Sequence, residues 1–119
     1  MDAHSNIVVA LAADLIFAAR IRGAAVADVS VILANNVEDF LTKIRELRPR
    51  LAVLDLDRRG LDVERVISAI KTNSNTPVVA YVSHVREDLI AAAMAAGADR
   101  VMARGAFVKN MSAILSGVW

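Results

Sequence analysis

The sequence predicts an α/β domain: a three-layer sandwich in which a five-stranded parallel sheet, with doubly wound (βα)5 topology, lies between two layers of helices. Three observations predict this fold class. Short runs rich in valine, isoleucine and leucine recur five times, and residues with the apolar spacing of a helix follow each run. The runs are continuously apolar, as in strands that helices cover on both faces. The length of 119 residues fits one such domain, and we expect residues 1–119 to fold as a single unit.

The predicted strands are short and apolar along most of their length. They are Ile7–Leu11, Val29–Leu33, Leu51–Leu54, Val78–Val82 and Arg100–Ala103. Pro49 and Pro77 stand just before the third and fourth strands, and Gly60 follows the third. These residues interrupt regular structure, so they separate the strands from the neighbouring helices.

The segments between the strands carry apolar residues at helical spacing. In the second helix these residues are Val37, Phe40, Leu41, Ile44 and Leu47. The third, fourth and fifth helices repeat the pattern with Val63, Val66, Ile67 and Ile70, then Leu89, Ile90, Ala93 and Met94, then Val108, Met111, Leu115 and Val118. Asn35 or Asn36 can cap the start of the second helix, and Gly97 suits a left-handed conformation at the end of the fourth.

Composition excludes several classes of function. Lys and Arg number 14 against 13 Asp and Glu, so the net charge of +1 gives no overall field that would attract nucleic acid or an anionic membrane. Without cysteine the chain has no thiol nucleophile or thiolate metal site, which suits a reducing cytoplasm. The most apolar stretch, from Ile7 to Ala19, is interrupted by Asp14 and is too short to span a bilayer. We therefore expect a cytoplasmic domain that by itself binds neither nucleic acid nor a membrane.

Two segments of the chain form a recognisable pattern. Residues 49–60 read Pro-Arg-Leu-Ala-Val-Leu-Asp-Leu-Asp-Arg-Arg-Gly, and residues 96–99 read Ala-Gly-Ala-Asp. With these segments, and with Thr-Pro before the fourth strand, the chain resembles the receiver domains of two-component response regulators without a gap from Ile7 to Phe107. Such domains have a flavodoxin-like fold. The resemblance implies that Asp55 occupies the position of the phosphoacceptor aspartate.

The resemblance also implies a Mg²⁺ site, because the family transfers a phosphoryl group to the aspartate with Mg²⁺ bridging. The metal requires a pair of acidic residues at the end of the first strand, where this chain has Leu11 and Ala12. Hydrocarbon side chains cannot ligate a hard cation. Asp14 lies further along and is interpreted as a cap of the following helix. We therefore expect no metal and no other cofactor.

Other residues of the family's phosphorylation site are replaced as well. Its Ser or Thr at the end of the fourth strand corresponds to Val82, and Ser83 comes one residue later, which turns its hydroxyl to the other face. The family's lysine corresponds to Arg104, which keeps the positive charge but not the compact ammonium, and the proline after it is Gly105. Val101 stands in place of the aromatic switch residue. The pocket is therefore predicted to be degenerate.

Simpler roles are expected for the remaining residues near the pocket. We expect Asp55 to form an ordinary ion pair with Arg104. Tyr81 and Met94 are interpreted as core residues, and His84 as a loop residue. A solvated loop is expected for Asp57, Arg58 and Arg59.

The function that these features favour is that of a pseudo-receiver, a regulatory module that is not an enzyme and needs no aspartyl phosphate. Receivers commonly bind a protein partner or a second copy through helix four, strand five and helix five. In this chain that face carries a run of small residues from Ala91 to Ala96. The larger apolar residues expected at the interface are Phe107, Met111, Ile114 and Trp119.

Two alternatives remain open at this point. One is a phosphorylatable receiver that accepts a phosphoryl group on Asp55. The other is a flavodoxin-like domain that binds a small anion or nucleotide near Arg58, Arg59 and Arg104, although the chain has no glycine-rich phosphate loop after its first strand.

Overall fold

Five parallel strands form one sheet in the computed structural model, which describes residues 6–26, 28–83 and 86–119. The strands are β1 (Ile7–Leu11), β2 (Ser30–Leu33), β3 (Leu51–Asp55), β4 (Val78–Val82) and β5 (Arg100–Ala103). Their order across the sheet is β2-β1-β3-β4-β5, which is the doubly wound order that was predicted. Only two strand bounds differ from the prediction: β2 begins one residue later, and β3 ends one residue later at Asp55.

Helices follow the strands and pack on both faces of the sheet. They are α1 (Leu15–Gly23), α2 (Val37–Leu47), α3 (Val63–Asn73), α4 (Glu87–Ala96), α5 (Arg104–Lys109) and α6 (Met111–Leu115). Asp14, Asn36 and Asp62 cap α1, α2 and α3 by accepting a hydrogen bond from the backbone N–H three residues on. Gly97 ends α4 in the predicted left-handed conformation, with φ of 112°. Within the described ranges no helix is both long and apolar enough to cross a membrane.

The predicted fifth helix is in fact two short helices, α5 and α6. They meet at Asn110, whose backbone leaves helical values (φ −111°, ψ 17°) and whose side chain donates a hydrogen bond to the Ala106 carbonyl oxygen. Of the predicted apolar stripe, Met111 and Leu115 are buried. Val118, which was expected to belong to this stripe, is 70% exposed, whereas Phe107 and Ile114 turn into the core.

The apolar core has two halves, one on each face of the sheet. Ala52 and Leu54 of β3 pack with residues of α2, α3 and α4, whereas Leu51 and Val53 pack with residues of α1, α5 and α6. Side chains alternate between faces along a strand. Asp55 follows Leu51 and Val53 at the same spacing of two residues. Its carboxylate therefore points toward the half of the core formed by α1 and α5.

Candidate functional site

The predicted site residues meet at the carboxyl edge of the sheet. The connections that follow β1 and β3 run to opposite sides of the sheet, so the loops after these two adjacent strands flank a crevice. Doubly wound folds place their ligands and chemistry in such a crevice. The loops contribute residues 12–14 and 56–62, and the last residue of β3, Asp55, lies between them.

Asp55 is buried and held in one position by the backbone. Its side chain has no exposed surface. Oδ2 accepts a hydrogen bond from the Ala13 N–H at 3.0 Å, and Oδ1 accepts one from the Asp57 N–H at 2.9 Å. The carboxylate therefore joins the loop after β1 to the loop after β3.

Burial raises the pKa of Asp55 above its ordinary value, because the charged form loses its contact with water. The hydrogen bonds from the Asp57 and Ala13 N–H groups oppose this shift, since they stabilise the carboxylate. Burial is the larger effect. The site therefore favours the protonated form of this carboxyl more than water does.

Tyr81 is the residue of β4 in register with Asp55. Its side chain is fully buried, and its hydroxyl has no hydrogen-bond partner among the residues that the structure describes. Burial and then the negative charge of Asp55 raise the pKa of the Tyr81 hydroxyl far above its ordinary value. The expectation that Tyr81 is a core residue is confirmed, but its polar end also faces the candidate site.

Three aromatic rings close the site on the side of α1 and α5. The Tyr81 ring stacks on Phe107 with ring centroids 4.5 Å apart, and it contacts Phe17 of α1 at 5.2 Å. The Arg104 guanidinium lies 4.0 Å from the centroid of the Phe17 ring. The expected ion pair between Asp55 and Arg104 is not among the ion pairs of the described residues. A planar guanidinium can stack on a ring while it stays hydrated, whereas an ion pair with Asp55 would bury it.

Arg58 crosses the crevice, and the expectation of a fully solvated loop is wrong for this residue. Its Nη1 donates to the Ala12 carbonyl oxygen at 2.9 Å, and its Nη2 donates to the Asn35 carbonyl oxygen at 3.1 Å. The guanidinium is half-buried and ties the loops after β1 and β2 together. Arg59, the next residue, is exposed as expected.

Asp57 connects the loop after β3 to the end of β4. One of its carboxylate oxygens accepts a hydrogen bond from the Ser83 N–H at 2.6 Å. Ser83 itself is exposed, while Val82 is buried in the half of the core on the other face of the sheet from Tyr81. Val82, the last residue of β4, therefore has no hydroxyl and faces away from Asp55, and Ser83 follows the strand as an exposed residue.

The donor atoms of this site do not fit Mg²⁺. Leu11 and Ala12 are buried hydrocarbon side chains, at 0% and 8% exposure. Both Asp55 oxygens accept backbone N–H groups, and Asp57 is engaged with Ser83. Mg²⁺ requires several oxygen ligands in octahedral geometry. Over the described part of the chain, no cluster of three or more His, Cys, Asp or Glu residues is arranged to hold a metal ion.

The arginines also form no free anion site at this edge. Of the three arginines that the anion-binding alternative requires, Arg58 is bonded to two carbonyl oxygens and Arg104 is stacked on Phe17. Arg59 alone is left exposed. A single exposed guanidinium is a weak basis for anion binding, so this alternative loses its support.

The burial of the expected interface residues corrects most of that set. Phe107 and Ile114 are at 0% and 1% exposure and Met111 is buried, because residues 107, 111 and 114 are spaced four and three apart and share the face that packs on the sheet. Buried side chains cannot anchor a partner while they fill the core, so these three residues are not interface residues in this conformation. Trp119 is 36% exposed. Met94, which was expected in the core, is 51% exposed on α4.

Sequence reasoning missed two residues of the site. The role of the Tyr81 hydroxyl follows from strand register, because β3 and β4 pair so that Asp55 lies beside Tyr81. Alternation along the predicted strands contains that signal once the two strands are aligned. The role of Arg58 has no comparable signal, because a loop arginine can point in many directions. His84 lies outside the described residues.

Many solved structures similar to this one are receiver domains. A signal receiver domain of a response regulator from Bermanella marisrubri has 22% sequence identity and a TM-score of 0.72, with 84% of this chain and 86% of that chain covered. The receiver domain of a putative Luxo repressor protein from Vibrio parahaemolyticus has 20% identity and a TM-score of 0.76, with coverages of 93% and 89%. The phosphorylated cyanobacterial phytochrome response regulator RcpA has 19% identity and a TM-score of 0.76, with coverages of 94% and 89%.

These likenesses agree with the strand order and with the sequence resemblance, although no protein-family model and no curated protein matches the chain. The similarity extends over most of this chain and most of each neighbour. The chain therefore has the flavodoxin-like fold of response-regulator receiver domains.

Proposed function

We propose that the chain is a pseudo-receiver: a cytoplasmic, non-enzymatic signalling module that works without aspartyl phosphate and binds a protein partner or a second copy of itself. The observation that carries this proposal is the state of Asp55. Its carboxylate has no exposed surface, both of its oxygens accept backbone hydrogen bonds, and Leu11 and Ala12 stand where the metal-binding acids of receivers would be.

The chemistry of phosphoryl transfer explains why this state matters. An attacking carboxylate oxygen must reach the phosphorus in line with the leaving group, and fixed positive charge must neutralise the transferring oxygens. In this chain the oxygens of Asp55 are occupied and buried. The nearest arginines are engaged elsewhere, Arg58 with two carbonyl oxygens and Arg104 with an aromatic ring. Both requirements for the transfer are therefore poorly met.

The surface formed by α4, β5 and α5 is the one we propose for the partner, and we refer to it as the α4–β5–α5 face. β5 is the last strand of the sheet and pairs only with β4 among the described residues, which leave its outer edge without a partner strand. Small and apolar side chains beside it are exposed: Ala91, Met94, Ala95, Ala103 and Ala106. Small residues permit close approach of another surface, and a flexible methionine adapts to it. Met94 takes the anchoring role that the sequence suggested for Phe107.

One experiment tests both parts of this proposal with three variants. Met94→Glu places a charge on the α4–β5–α5 face, Leu15→Glu places the same charge on another exposed site at the start of α1, and Asp55→Asn removes the acceptor. We expect Met94→Glu to weaken self-association in sedimentation, or capture of a partner from its native lysate, by about tenfold or more. The other two variants should stay within about threefold of wild type.

The contradicting outcomes point to different errors. Loss of binding only in Leu15→Glu would move the contact to α1, where Leu15 and Ile16 are both more than four-fifths exposed, at 87% and 85%. Loss of binding only in Asp55→Asn would show that the acceptor position is in use. Circular dichroism of each variant excludes unfolding as the cause.

A second candidate function, a receiver that is phosphorylated on Asp55, is favoured by one observation. Asp55 ends β3 at the carboxyl edge of the sheet, in the crevice where doubly wound folds carry out their chemistry. The occupied oxygens of Asp55 oppose this function. A direct phosphorylation assay separates the two candidates, because only a working receiver gains a phosphoryl group on Asp55.

A further inference from the structure

A second crevice lies at the amino edge of the sheet, opposite to Asp55. It has a volume of about 490 Å³ and lies between the end of α2, the start of β3, the end of α3 and the start of β4. Clefts that bind small molecules have volumes of about 300 to 1,000 Å³. The size of this crevice is therefore that of a small-molecule site, and we call it the amino-edge cleft.

Among the described residues that line the amino-edge cleft, every charged side chain is positive. Arg45, Arg48 and Arg50 line it, and no Asp or Glu is among its lining residues. None of the three arginines takes part in an ion pair of the described residues, whose ion pairs involve Lys43, Arg65, Lys71 and Arg86. The whole chain has a net charge of only +1. Three unpaired arginines around one cleft are thus a local concentration of positive charge that favours an anionic ligand.

Arg50 is the one of the three arginines that a hydrogen bond within the described part of the protein holds in place. Its Nη2 donates to the Leu115 carbonyl oxygen at 2.9 Å, which anchors the guanidinium against α6. Its Nε is buried and has no hydrogen-bond partner among the described residues. The bond from Nη2 to Leu115 therefore fixes the position of the Arg50 side chain at the wall of the cleft.

The remaining walls of the amino-edge cleft divide it into a polar and an apolar part. Ser74 and Thr76 contribute hydroxyl groups, which are hydrogen-bonded to each other at 3.0 Å. Ile44, Pro49 and Pro77 contribute apolar surface. A smaller groove between α2 and α3 adjoins the cleft through Ile44 and is lined by further apolar residues: Leu41, Ala69 and Ile70. A ligand with an anionic group and an apolar body matches these walls.

We propose that the amino-edge cleft binds a small organic phosphate. The phosphate group would be held by Arg45, Arg48 and Arg50, since guanidinium groups bind phosphate oxygens through paired N–H donors. The apolar body of the ligand would lie against Ile44 and Pro77. This proposal goes beyond the proposed function and is independent of it, because the cleft and Asp55 are at opposite edges of the sheet.

Phenyl phosphate and inorganic phosphate are the probes that test this proposal. In titrations followed by amide NMR, both should cause saturable shifts at Arg48, Arg50 and Thr76. Phenyl phosphate should bind about tenfold more tightly than inorganic phosphate, because its ring buries apolar surface. Added salt should weaken both, since the contacts are between charges. Shifts that do not saturate, or an equal response to both probes, would overturn the proposal of an organic phosphate.

Charge-removing variants show whether the arginines form the site. Arg45→Gln and Arg48→Gln change exposed residues and should leave the fold intact, and each should weaken phenyl phosphate binding by about tenfold. Arg65→Gln is the matched control, because it removes the same charge from an exposed residue at the other end of α3. It should change the affinity by less than about twofold. Equal losses in all three variants would mean that only the net charge matters, and would contradict a built site.

Discussion

Asp55 is the residue on which the proposed function depends most. A carboxylate on a receiver fold would need access to a phosphodonor and to a cation, and here it has no exposed surface and each oxygen already accepts a backbone hydrogen bond. The two hydrogen bonds that it accepts give it another role. It fixes the Ala13 and Asp57 N–H groups, and so holds the loops after β1 and β3 together at the crevice.

The raised pKa of Asp55 determines how this residue makes the stability of the fold depend on pH. The folded carboxyl keeps its proton to a higher pH than the unfolded one, so folding takes up a proton between the two pKa values. The contribution of Asp55 to stability is therefore lost as the pH rises through the folded pKa, and is regained as the pH falls toward 3.8, its ordinary value.

Urea unfolding of wild type and Asp55→Asn between pH 7 and pH 4 measures this effect. The free energy of unfolding of wild type, relative to the variant, should rise as the pH falls. Asp39 and Asp88 have lowered pKa values and act in the opposite direction, but they are present in both proteins and cancel in the difference. A difference that is flat or falls toward low pH would show that burial does not dominate at Asp55.

Arg58 is predicted to stabilise the crevice. Arg58→Met keeps most of the apolar stem and removes the donors to the Ala12 and Asn35 carbonyl oxygens, so it should lower the free energy of unfolding by about 1 to 2 kcal/mol. Arg59→Met is the matched control on an exposed residue and should stay within about 0.5 kcal/mol of wild type. Equal effects in urea unfolding would contradict a specific role for Arg58.

At the scale of single residues, the sequence shows which chemical groups are missing from a position. It does not show which atoms a long side chain contacts. Leu11, Ala12 and Val82 cannot supply a metal ligand or a hydroxyl wherever they point, and this was readable from the strands alone. The hydrogen bonds of Arg58 and the stacking of Arg104 depend on rotamers of long, flexible side chains. No local pattern in the sequence determines those rotamers.

Among the elements, the five strands are predicted to within one residue. The apolar spacing also predicts the second, third and fourth helices, because the residues that show it lie within α2, α3 and α4. The first helix is predicted only as the segment that follows β1, without bounds. The fifth helix is predicted as one helix, whereas the structure has two. Its apolar residues fit one continuous helix about as well as two short ones, and Asn110 between them is a weak breaker in sequence terms. Phe107, Met111 and Ile114 are spaced four and three residues apart, so helical spacing alone places all three on one face, which is the buried one.

Phe107 is therefore predicted to affect stability and not the partner. Phe107→Ala leaves a cavity beside the Tyr81 ring and should lower the free energy of unfolding by about 3 to 5 kcal/mol. Phe107→Leu, which keeps more of the volume, should lower it by less. Trp119→Ala, at a partly exposed position near the chain end, should change it by less than about 1 kcal/mol. A small effect of Phe107→Ala in urea unfolding would contradict its place in the core.

At the scale of the whole molecule, the two edges of the sheet differ in how open they are. The carboxyl edge, with the acceptor position, is closed by hydrogen bonds and aromatic packing. The amino edge has an open cleft with three arginines. Over the described part of the chain, the α4–β5–α5 face retains an unpaired strand edge and exposed small residues. We interpret the fold as a scaffold for binding surfaces whose central phosphorylation site is no longer in use.

Intact-mass spectrometry after treatment with acetyl phosphate and Mg²⁺ tests this account most directly. A receiver that retains its acidic pair is treated in parallel, so that the reaction is known to work. The control should gain one phosphoryl group, while this chain should keep its unmodified mass, because Asp55 is occluded and its surroundings do not fit Mg²⁺. A stoichiometric gain of one phosphoryl group that disappears in Asp55→Asn would contradict the account and establish the chain as a working phosphoacceptor.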